Sequence, residues 1–173
     1  MEHEIIDWLN EEGETIGTID KAIAHRDGLW HRSVHVWVIN GKGEMLFQKR
    51  CADKKFYPNF WDCSFSGHIG AGESSKTAAI REGCEEIGLK VRENDLRFLF
   101  TFKEKLVWKE IKSFEFVDVY LIKKDIDEKE LSYQKEEVAG AKFFNLKWFY
   151  ENTQKPEFFP HFEEYEMLKE YIL

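Results

Sequence analysis

The segment 67–89 constrains the fold of this chain more than any other, because it joins a glycine-rich loop directly to an amphipathic helix. Ser74 or Ser75 has the residue type that caps the start of a helix, and Gly88 has the type that ends one in a left-handed conformation. The spacing of apolar and polar residues between these caps is that of a helix. We therefore predict a helix that runs to about Ile87.

The two sides of this helix differ in chemistry. Residues three and four apart share a helix face, so Ile80, Cys84 and Ile87 are predicted to form an apolar stripe. The other side carries three glutamates, which are Glu82, Glu85 and Glu86. Like charges at these spacings destabilise an isolated helix by about 0.2–0.5 kcal/mol per pair, and this cost predicts a cation beside them.

A divalent metal is the cation that suits this arrangement. Hard cations such as Mg²⁺ (or Mn²⁺) prefer oxygen ligands, and Mg²⁺ also accepts substrate phosphates. The alternative is a solvated acidic face, which is the usual role of a charge run. Gly67, Gly70 and Gly72 precede the helix, and glycines let the backbone approach a metal or a phosphate closely. The sequence therefore favours a metal site.

The same segment resembles the Nudix box, Gx5Ex7REUxEExGU, in which U is a bulky aliphatic residue. Every fixed position of the box matches, at Gly67, Glu73, Arg81, Glu82, Glu85, Glu86 and Gly88. The departure is Gly83, at a position where an aliphatic residue is usual. Glycine there lowers helix propensity by about 1 kcal/mol relative to alanine, but it removes no ligand.

The resemblance implies both a fold and a reaction. The fold is of the α/β (α+β) class, with a mixed β-sheet sandwiched between α-helices in one domain over residues 1–173. The reaction is Mg²⁺-dependent hydrolysis of a diphosphate linkage, in a nucleoside diphosphate joined to another group or a related small diphosphate. Homodimers are common among such enzymes, so the resemblance also suggests a homodimer. A non-catalytic Nudix-like module is expected to lose glutamates of the box, and this chain has lost none.

The resemblance also carries roles onto the matching residues. Glu85 and Glu86 look like the main metal ligands, Glu82 like a further ligand or proton acceptor, and Gly67 like a carbonyl ligand. Arg81 and the remaining box residues, Glu73 and Gly88, look like residues that hold the loop and the helix in place.

Two roles fall outside the box. A carboxylate has to accept the proton of the attacking water, and besides Glu82 we consider a glutamate of a distant loop, Glu136 or Glu137. Arg50, at the end of a predicted strand, is a candidate for contact with substrate phosphate. An exposed cation at a strand end is the alternative interpretation of Arg50.

Beyond the box, residues 30–123 resemble type 1 isopentenyl-diphosphate isomerases, which share the Nudix fold. The residues that carry this likeness include His31, Trp37, Asn40, the run Asn59-Phe60-Trp61 and the run Ser64-Phe65-Ser66-Gly67-His68. The isomerases use a cysteine at the position of Ser66, together with a glutamate on a later strand that Glu115 could match. A serine hydroxyl is a far weaker acid than a thiol, so hydrolysis is favoured over isomerisation.

The histidines have competing interpretations. His25, His31 and His68 match, in order and approximate spacing, the three histidines that bind metal in those isomerases. Histidines on strands are more often packed or at the surface, so we interpret His25 and His35 as structural. We assign His68 to the metal set and His31, with Arg50, to substrate binding.

Composition excludes several classes of function. The net charge of -8 disfavours a nucleic-acid polymer as partner. No apolar run approaches the roughly 18 residues of a membrane span, and the acidic start 1–4 lacks the basic region of a signal peptide. Cys51, Cys63 and Cys84 form neither an even set nor a CxxC pair, so we expect reduced, buried thiols and a cytoplasmic location.

The rest of the chain reads mainly as strands. Turn signals at 11–14 and 40–43 predict two hairpins, over 7–19 and over 33–48. Further strands are predicted at 61–65, 96–102, 114–122 and 141–146, and helices at 147–152 and 162–171.

Overall fold

The computed structural model describes residues 3–173, so Met1 and Glu2 of the acidic start lie outside the described residues. The elements in chain order are β1 (Ile5–Leu9), β2 (Thr15–Asp20), α1 (Lys21–Asp27), β3 (His31–Ile39), β4 (Glu44–Arg50), β5 (Trp61–Asp62), β6 (Phe65–His68), α2 (Ser75–Ile87), β7 (Arg97–Trp108), β8 (Ile111–Lys123), β9 (Val138–Asn145), α3 (Leu146–Asn152) and α4 (Phe162–Ile172). No helix within residues 3–173 has the length and apolar character needed to cross a bilayer.

Seven strands form a mixed sheet, and β1 and β2 form a separate hairpin. The path through the sheet is β5-β4-β3-β8-β7, with β9 paired to β4 and β6 paired to β3. Only the β3–β8 pair is parallel among the described strands. Strand β3 thus pairs with β8, and also with β4 and the short strand β6. Within residues 3–173, β6 pairs with no strand other than β3, so its other edge is open.

The sheet buries a core on each of its faces. Side chains alternate along β3, so Val36 packs towards α2 while Trp37 packs towards α3 and α4. Helix α2 covers the first face with residues such as Ala79, and α4 covers the second with Tyr165 and Leu168. A mixed sheet between helices is the predicted architecture, and it is confirmed.

Most of the predicted elements are confirmed. Both hairpins form, and α2 begins after Ser74, whose side chain accepts a hydrogen bond from the Thr77 amide. The helix ends at Gly88, which has a φ of 67°. The single strand predicted at 61–65 is wrong, because the chain forms two short strands, β5 and β6, that pair with different neighbours.

Helix α1 was not predicted. Asp20 caps it by accepting a hydrogen bond from the Ala22 amide, and Gly28 ends it with a φ of 72°. Its seven residues make fewer than two turns, and helices this short gain their stability from tertiary contacts rather than from their sequence. Strands β7 and β8 are longer than predicted and pair along their whole length, out to the Trp108–Ile111 pair.

The predicted apolar stripe on α2 is wrong at one position. Cys84 is exposed, and the residues buried on this helix include Ala79, Gly83, Glu86 and Ile87. The helix therefore turns a different side towards the sheet than predicted. Gly83 packs against β6, and the next residue, Cys84, faces solvent. A Cβ at Gly83 would lie 3.0 Å from a methyl group of Val91 and 3.1 Å from the ring of Phe65. The buried thiols are therefore two of the three, Cys51 and Cys63.

Buried ionisable groups dock α4 on the sheet. Glu164 is fully buried and accepts hydrogen bonds from His35 Nδ1 at 2.8 Å and from Trp37 Nε1 at 2.6 Å. His161, at the start of α4, lies 2.7 Å from Glu104 and 3.0 Å from Asp62. Burial opposes a charge on His161, but the neighbouring carboxylates outweigh it and raise the pKa of this imidazole well above its usual value.

We expect Gly83→Leu to destabilise the protein by about 1–3 kcal/mol, because the side chain would have to displace Phe65 or Val91 in a packed core. Urea unfolding followed by circular dichroism measures the change. Cys84→Leu is the matched control, since the next residue of the same helix is exposed and its substitution should stay within about 0.5 kcal/mol of the parent. Equal losses in both variants would contradict the close packing at Gly83.

Candidate functional site

The glutamates of α2 meet the open edge of β6. Glu86 is 8% exposed, and its Oε2 accepts hydrogen bonds from the Ser66 backbone amide at 2.9 Å and from Gln48 Nε2 at 2.8 Å. Burial raises the pKa of the Glu86 carboxyl, and these two hydrogen bonds oppose the shift. One carboxylate of the helix is therefore fixed against the strand edge.

Glu82 lies directly against the glycine of the loop. A Cβ added at Gly67 would overlap the Glu82 carboxylate, so only glycine leaves space for that side chain. Burial and the neighbouring Glu86 carboxylate together raise the pKa of Glu82 to about 7, against the opposing effect of Arg81. Two crowded, partly buried carboxylates beside the backbone of Gly67 supply the kind of oxygen donors that Mg²⁺ or Mn²⁺ prefers. The residues present fit such an ion.

Arg81 joins the loop to the helix. Its guanidinium donates to Glu73 from Nε at 3.1 Å and from Nη2 at 3.0 Å, and to the His68 carbonyl at 3.0 Å. It also donates to Glu82 at 2.5 Å, while Glu85 lies 3.4 Å away and has a half-exposed side chain. The geometry supports the role that the box implies for Arg81 and Glu73, which is to hold the loop against the carboxylates.

A second cluster lies on the other side of β6. His25 of α1, His31 of β3, His68 of β6 and Glu115 of β8 bring one donor atom each within 4.8 Å of one another. The Nε2 atoms of His25 and His68 are 3.2 Å apart, and those of His31 and His68 lie 3.5 Å and 3.8 Å from Glu115 Oε1. The Nδ1 of His31 faces outward to the Leu29 carbonyl at 2.8 Å.

The protonation of this cluster suits a metal ion. Burial lowers the pKa of His25 to about 4 and that of His68 well below its usual value, so both imidazoles are neutral near pH 7. Burial opposes ionisation of Glu115, but His31 and His68 outweigh it and hold its pKa well below the usual range. His31 Nε2 is buried and has no hydrogen-bond partner within residues 3–173. Burial opposes a charge on His31 as well, but Glu115 outweighs it and raises the pKa of that imidazole. Neutral imidazoles such as His25 and His68, together with a carboxylate, are ligands for Zn²⁺, Mn²⁺ or Fe²⁺.

This geometry bears on two histidine interpretations. The sequence predicts a structural role for His25, yet this residue lies in the cluster with His31, His68 and Glu115. Because helix α1, which carries His25, was not predicted, the sequence did not show that His25 comes close to the other three. His31, which the sequence assigns to substrate binding, has no exposed surface and lies beside Glu115, and substrate contact by His31 stays a prediction. His35 pairs with Glu164 in the core, as described above.

Arg50 is held by the protein itself. Its guanidinium donates to the carbonyls of Phe56 and Tyr57 and, from Nη1 at 3.0 Å, to Asp62. These bonds fix the 51–60 loop, and the Arg50 side chain is only 12% exposed. Contact with substrate phosphate stays a prediction, but the structure gives Arg50 a positioning role for the loop that carries Lys54.

Two lysines near the site were missed by the sequence analysis. Lys54 forms an ion pair with Glu137, and Lys21 forms one with Glu4. Burial lowers the pKa of Lys54, the charge of Arg50 lowers it further, and the nearby Glu86 carboxylate opposes the shift. Single lysines outside a recognisable motif carry no signal in one sequence, so only the folded chain shows them. Glu137, a candidate proton acceptor, is therefore tied to a cation.

The comparison with protein families settles the family. The NUDIX domain matches residues 29–163, which include the loop, α2 and both clusters except His25. This chain belongs to the Nudix family. Nudix hydrolases generally use a divalent metal, and the group of His25, His31, His68 and Glu115 could hold such an ion.

Three relatives illustrate the range of this Nudix chain. A Nudix hydrolase of Listeria monocytogenes is 36% identical over 159 residues, covering 90% of this chain and 88% of that protein. Nudix hydrolase 3 of Arabidopsis thaliana is 38% identical over 149 residues, covering 83% of this chain but 19% of the plant protein. An isopentenyl-diphosphate Delta-isomerase of Shigella flexneri is 38% identical over 92 residues, covering 53% of this chain and 50% of the isomerase.

The fold also matches a known structure. The crystal structure of a Deinococcus radiodurans protein has a TM-score of 0.75 to this chain at 22% identity, covering 96% of this chain and 98% of that one. The mixed sheet with flanking helices is thus the Nudix arrangement, and the relatives identify the chain as a Nudix hydrolase.

We expect Glu115→Gln to weaken Co²⁺ binding at least about 10-fold, because it removes the carboxylate whose Oε1 lies 3.5 Å from His31 Nε2 and 3.8 Å from His68 Nε2. The visible absorption of bound Co²⁺, titrated in the absence of substrate, reports the affinity. Glu93→Gln is the matched control, because it removes a carboxylate that is paired with Lys76 and belongs to neither cluster. Identical Co²⁺ spectra and affinities in Glu115→Gln and the parent would show that the histidines bind no metal.

Proposed function

We propose that this Nudix hydrolase cleaves the diphosphate linkage of a nucleoside diphosphate joined to another group, or of a related small diphosphate, with Mg²⁺ as its cofactor. The observation that carries the proposal is that Glu82 lies against Gly67 and Glu86 against the Ser66 amide, at neighbouring residues of β6. A divalent cation bound there would neutralise charge on the phosphoryl oxygens and lower the pKa of a coordinated water.

Arg81, Glu82 and Glu137 have separate roles in this proposal. Arg81 holds Glu82 and the loop in a fixed relation, so the carboxylates are ordered before substrate arrives. Glu82 lies against Gly67 and burial raises its pKa to about 7, so we propose it as the carboxylate that accepts the proton of the attacking water, with Glu137, paired with Lys54, as the alternative. Glu136 lies beside Glu137 on the same loop and contributes its carbonyl to Cys51.

We infer that Lys21 and Lys54 bind the phosphates. Each is paired with a single glutamate, and each is close enough to the candidate metal sites to shift the pKa of a residue there, Lys21 at His68 and Lys54 at Glu86. If a diphosphate displaced Glu4 and Glu137 from these lysines, each lysine would exchange an ion pair with a carboxylate for one with a phosphate. The net charge of -8 makes such local cations necessary for an anionic substrate.

An isomerase is the second candidate function. It is favoured by the buried cluster of Glu115 with three histidines and by the likeness to the Shigella flexneri isomerase. Ser66 stands where those isomerases have a cysteine, and a hydroxyl is a much weaker acid than a thiol. All four glutamates of the box are present, which supports an enzyme over a non-catalytic module.

The remaining assignments are also proposals. We propose that residues 1–173 act as a single domain in the cytoplasm, which the buried thiols of Cys51 and Cys63 support, since reduced cysteines suit a reducing compartment. A homodimer is implied by the resemblance alone.

We expect the protein to hydrolyse at least one member of a panel of nucleotide sugars, dinucleoside polyphosphates, ADP-ribose and isoprenoid diphosphates in the presence of Mg²⁺. Glu85→Gln and Glu86→Gln should each lower kcat by about 100-fold or more, because each removes charge that stabilises the transition state. Phosphate-containing products and alkene isomers are quantified by ion-exchange chromatography and NMR.

Glu93→Gln is the control, because Glu93 pairs with Lys76 at the surface, away from both clusters. Turnover that persists in the presence of a chelator would contradict the proposed hydrolysis. Alkene isomerisation without phosphate release would establish the second candidate instead.

A further inference from the structure

Gln48 is a buried polar residue that no sequence motif marks. It lies on β4 and is 1% exposed, two residues after Leu46, which packs in the core beneath α2. Alternation along the strand puts both side chains on the same face of the sheet. Its Nε2 donates a hydrogen bond of 2.8 Å to Glu86 Oε2. The Gln48 amide therefore links β4 directly to the Glu86 carboxylate of α2.

The Glu86 carboxylate is held from two directions. Gln48 of β4 and the Ser66 amide of β6 both donate to the same oxygen, Oε2. Both donors are rigid, because Gln48 is paired through its backbone with Asp62 and Ala141, and Ser66 is paired with His35. Within residues 3–173 the other oxygen, Oε1, accepts no hydrogen bond that meets the usual geometry.

A carboxylate held in this way differs from one on a free side chain. Rotation about its last bond would exchange the two oxygens, and with Oε2 fixed by two donors that exchange requires both hydrogen bonds to break. The oxygen without a partner is then held on the side away from the Ser66 and Gln48 donors, and the carboxylate as a whole lies close enough to Glu82 to raise the pKa of that group. Metal ligands are commonly oriented by such outer hydrogen bonds, whose loss lowers metal affinity by about 10–100-fold.

We propose that Gln48 is a positioning residue of the divalent-metal site, whose amide fixes the Glu86 carboxylate so that Oε1 faces the cation. The inference rests on the proposed function in one respect, since it takes Glu86 to be a metal ligand. It goes beyond that function by adding a residue outside the box, on a different strand, to the machinery that sets metal affinity.

The test uses the intact chain and Mn²⁺ alone. Gln48→Met keeps the length and apolar stem of the side chain and removes the donor. We expect it to weaken Mn²⁺ binding about 10-fold or more, measured by electron paramagnetic resonance. In the hydrolysis assay the Mg²⁺ concentration for half-maximal rate should rise by the same factor, while KM for the diphosphate at saturating Mg²⁺ stays unchanged.

Ser64→Ala is the matched control. Its hydroxyl is equally buried, accepts from the Val38 amide at 2.8 Å and donates to the Leu46 carbonyl at 2.6 Å, but contacts no glutamate of α2. Both variants should unfold at a lower temperature than the parent, and only Gln48→Met should lose Mn²⁺ affinity. If Gln48→Met does not fold, Gln48→Asn replaces it, because its amide is too short to reach Glu86.

Glu86→Gln separates the two possible failures. If Glu86→Gln weakens Mn²⁺ binding and Gln48→Met does not, Gln48 has no positioning role while the metal site stands. Equal losses of affinity in Gln48→Met and Ser64→Ala would also overturn the inference, since a general loosening of the core would then explain both. If Glu86→Gln leaves Mn²⁺ binding unchanged, the proposed metal site fails and the inference fails with it.

Discussion

The close approach of α2 to β6 is the constraint on which the site depends. Two glycines permit it, one on each side of the contact. A side chain at Gly67 would occupy the space of Glu82, and a side chain at Gly83 would meet Phe65 and Val91. Because nothing separates the helix from the strand, the carboxylate of Glu86 reaches the backbone amide at the strand edge and is buried there. A helix one side chain farther away would carry the same glutamates into solvent.

Strand β6 organises chemistry on both of its faces. Successive residues of a strand point to opposite sides, so the α position of Gly67 faces α2 while the imidazole of His68 faces α1 and β8. The carboxylates of α2 therefore lie on one face of β6, and the three imidazoles, together with Glu115, lie on the other. The parallel register of β3 with β8 places His31 directly beside Glu115 and completes the second set. At Gly83, where the box usually has a bulky aliphatic residue, the space beside the helix is filled by the ring of Phe65 from β6.

Several features could be read from the sequence because they depend on neighbouring residues. The caps of α2, the two hairpin turns and the spacing of the box are local patterns, and all of them are found in the folded chain. Errors arose where tertiary contacts decide. Helix α1 is too short to show a period, the Cys84 side of α2 turned out to face solvent, and the strand at 61–65 is divided between two partners.

The sequence by itself determined the family and the helix that carries the glutamates, and it predicted a divalent metal beside them, because spacing along one helix fixes which side chains share a face. Only the tertiary structure decided what surrounds those glutamates. Gln48, His25 and Lys54 come from separate elements, and their positions follow from strand pairing and helix docking over long stretches of chain. Such contacts leave no periodic trace in a single sequence, since they are made by packing between residues far apart along it.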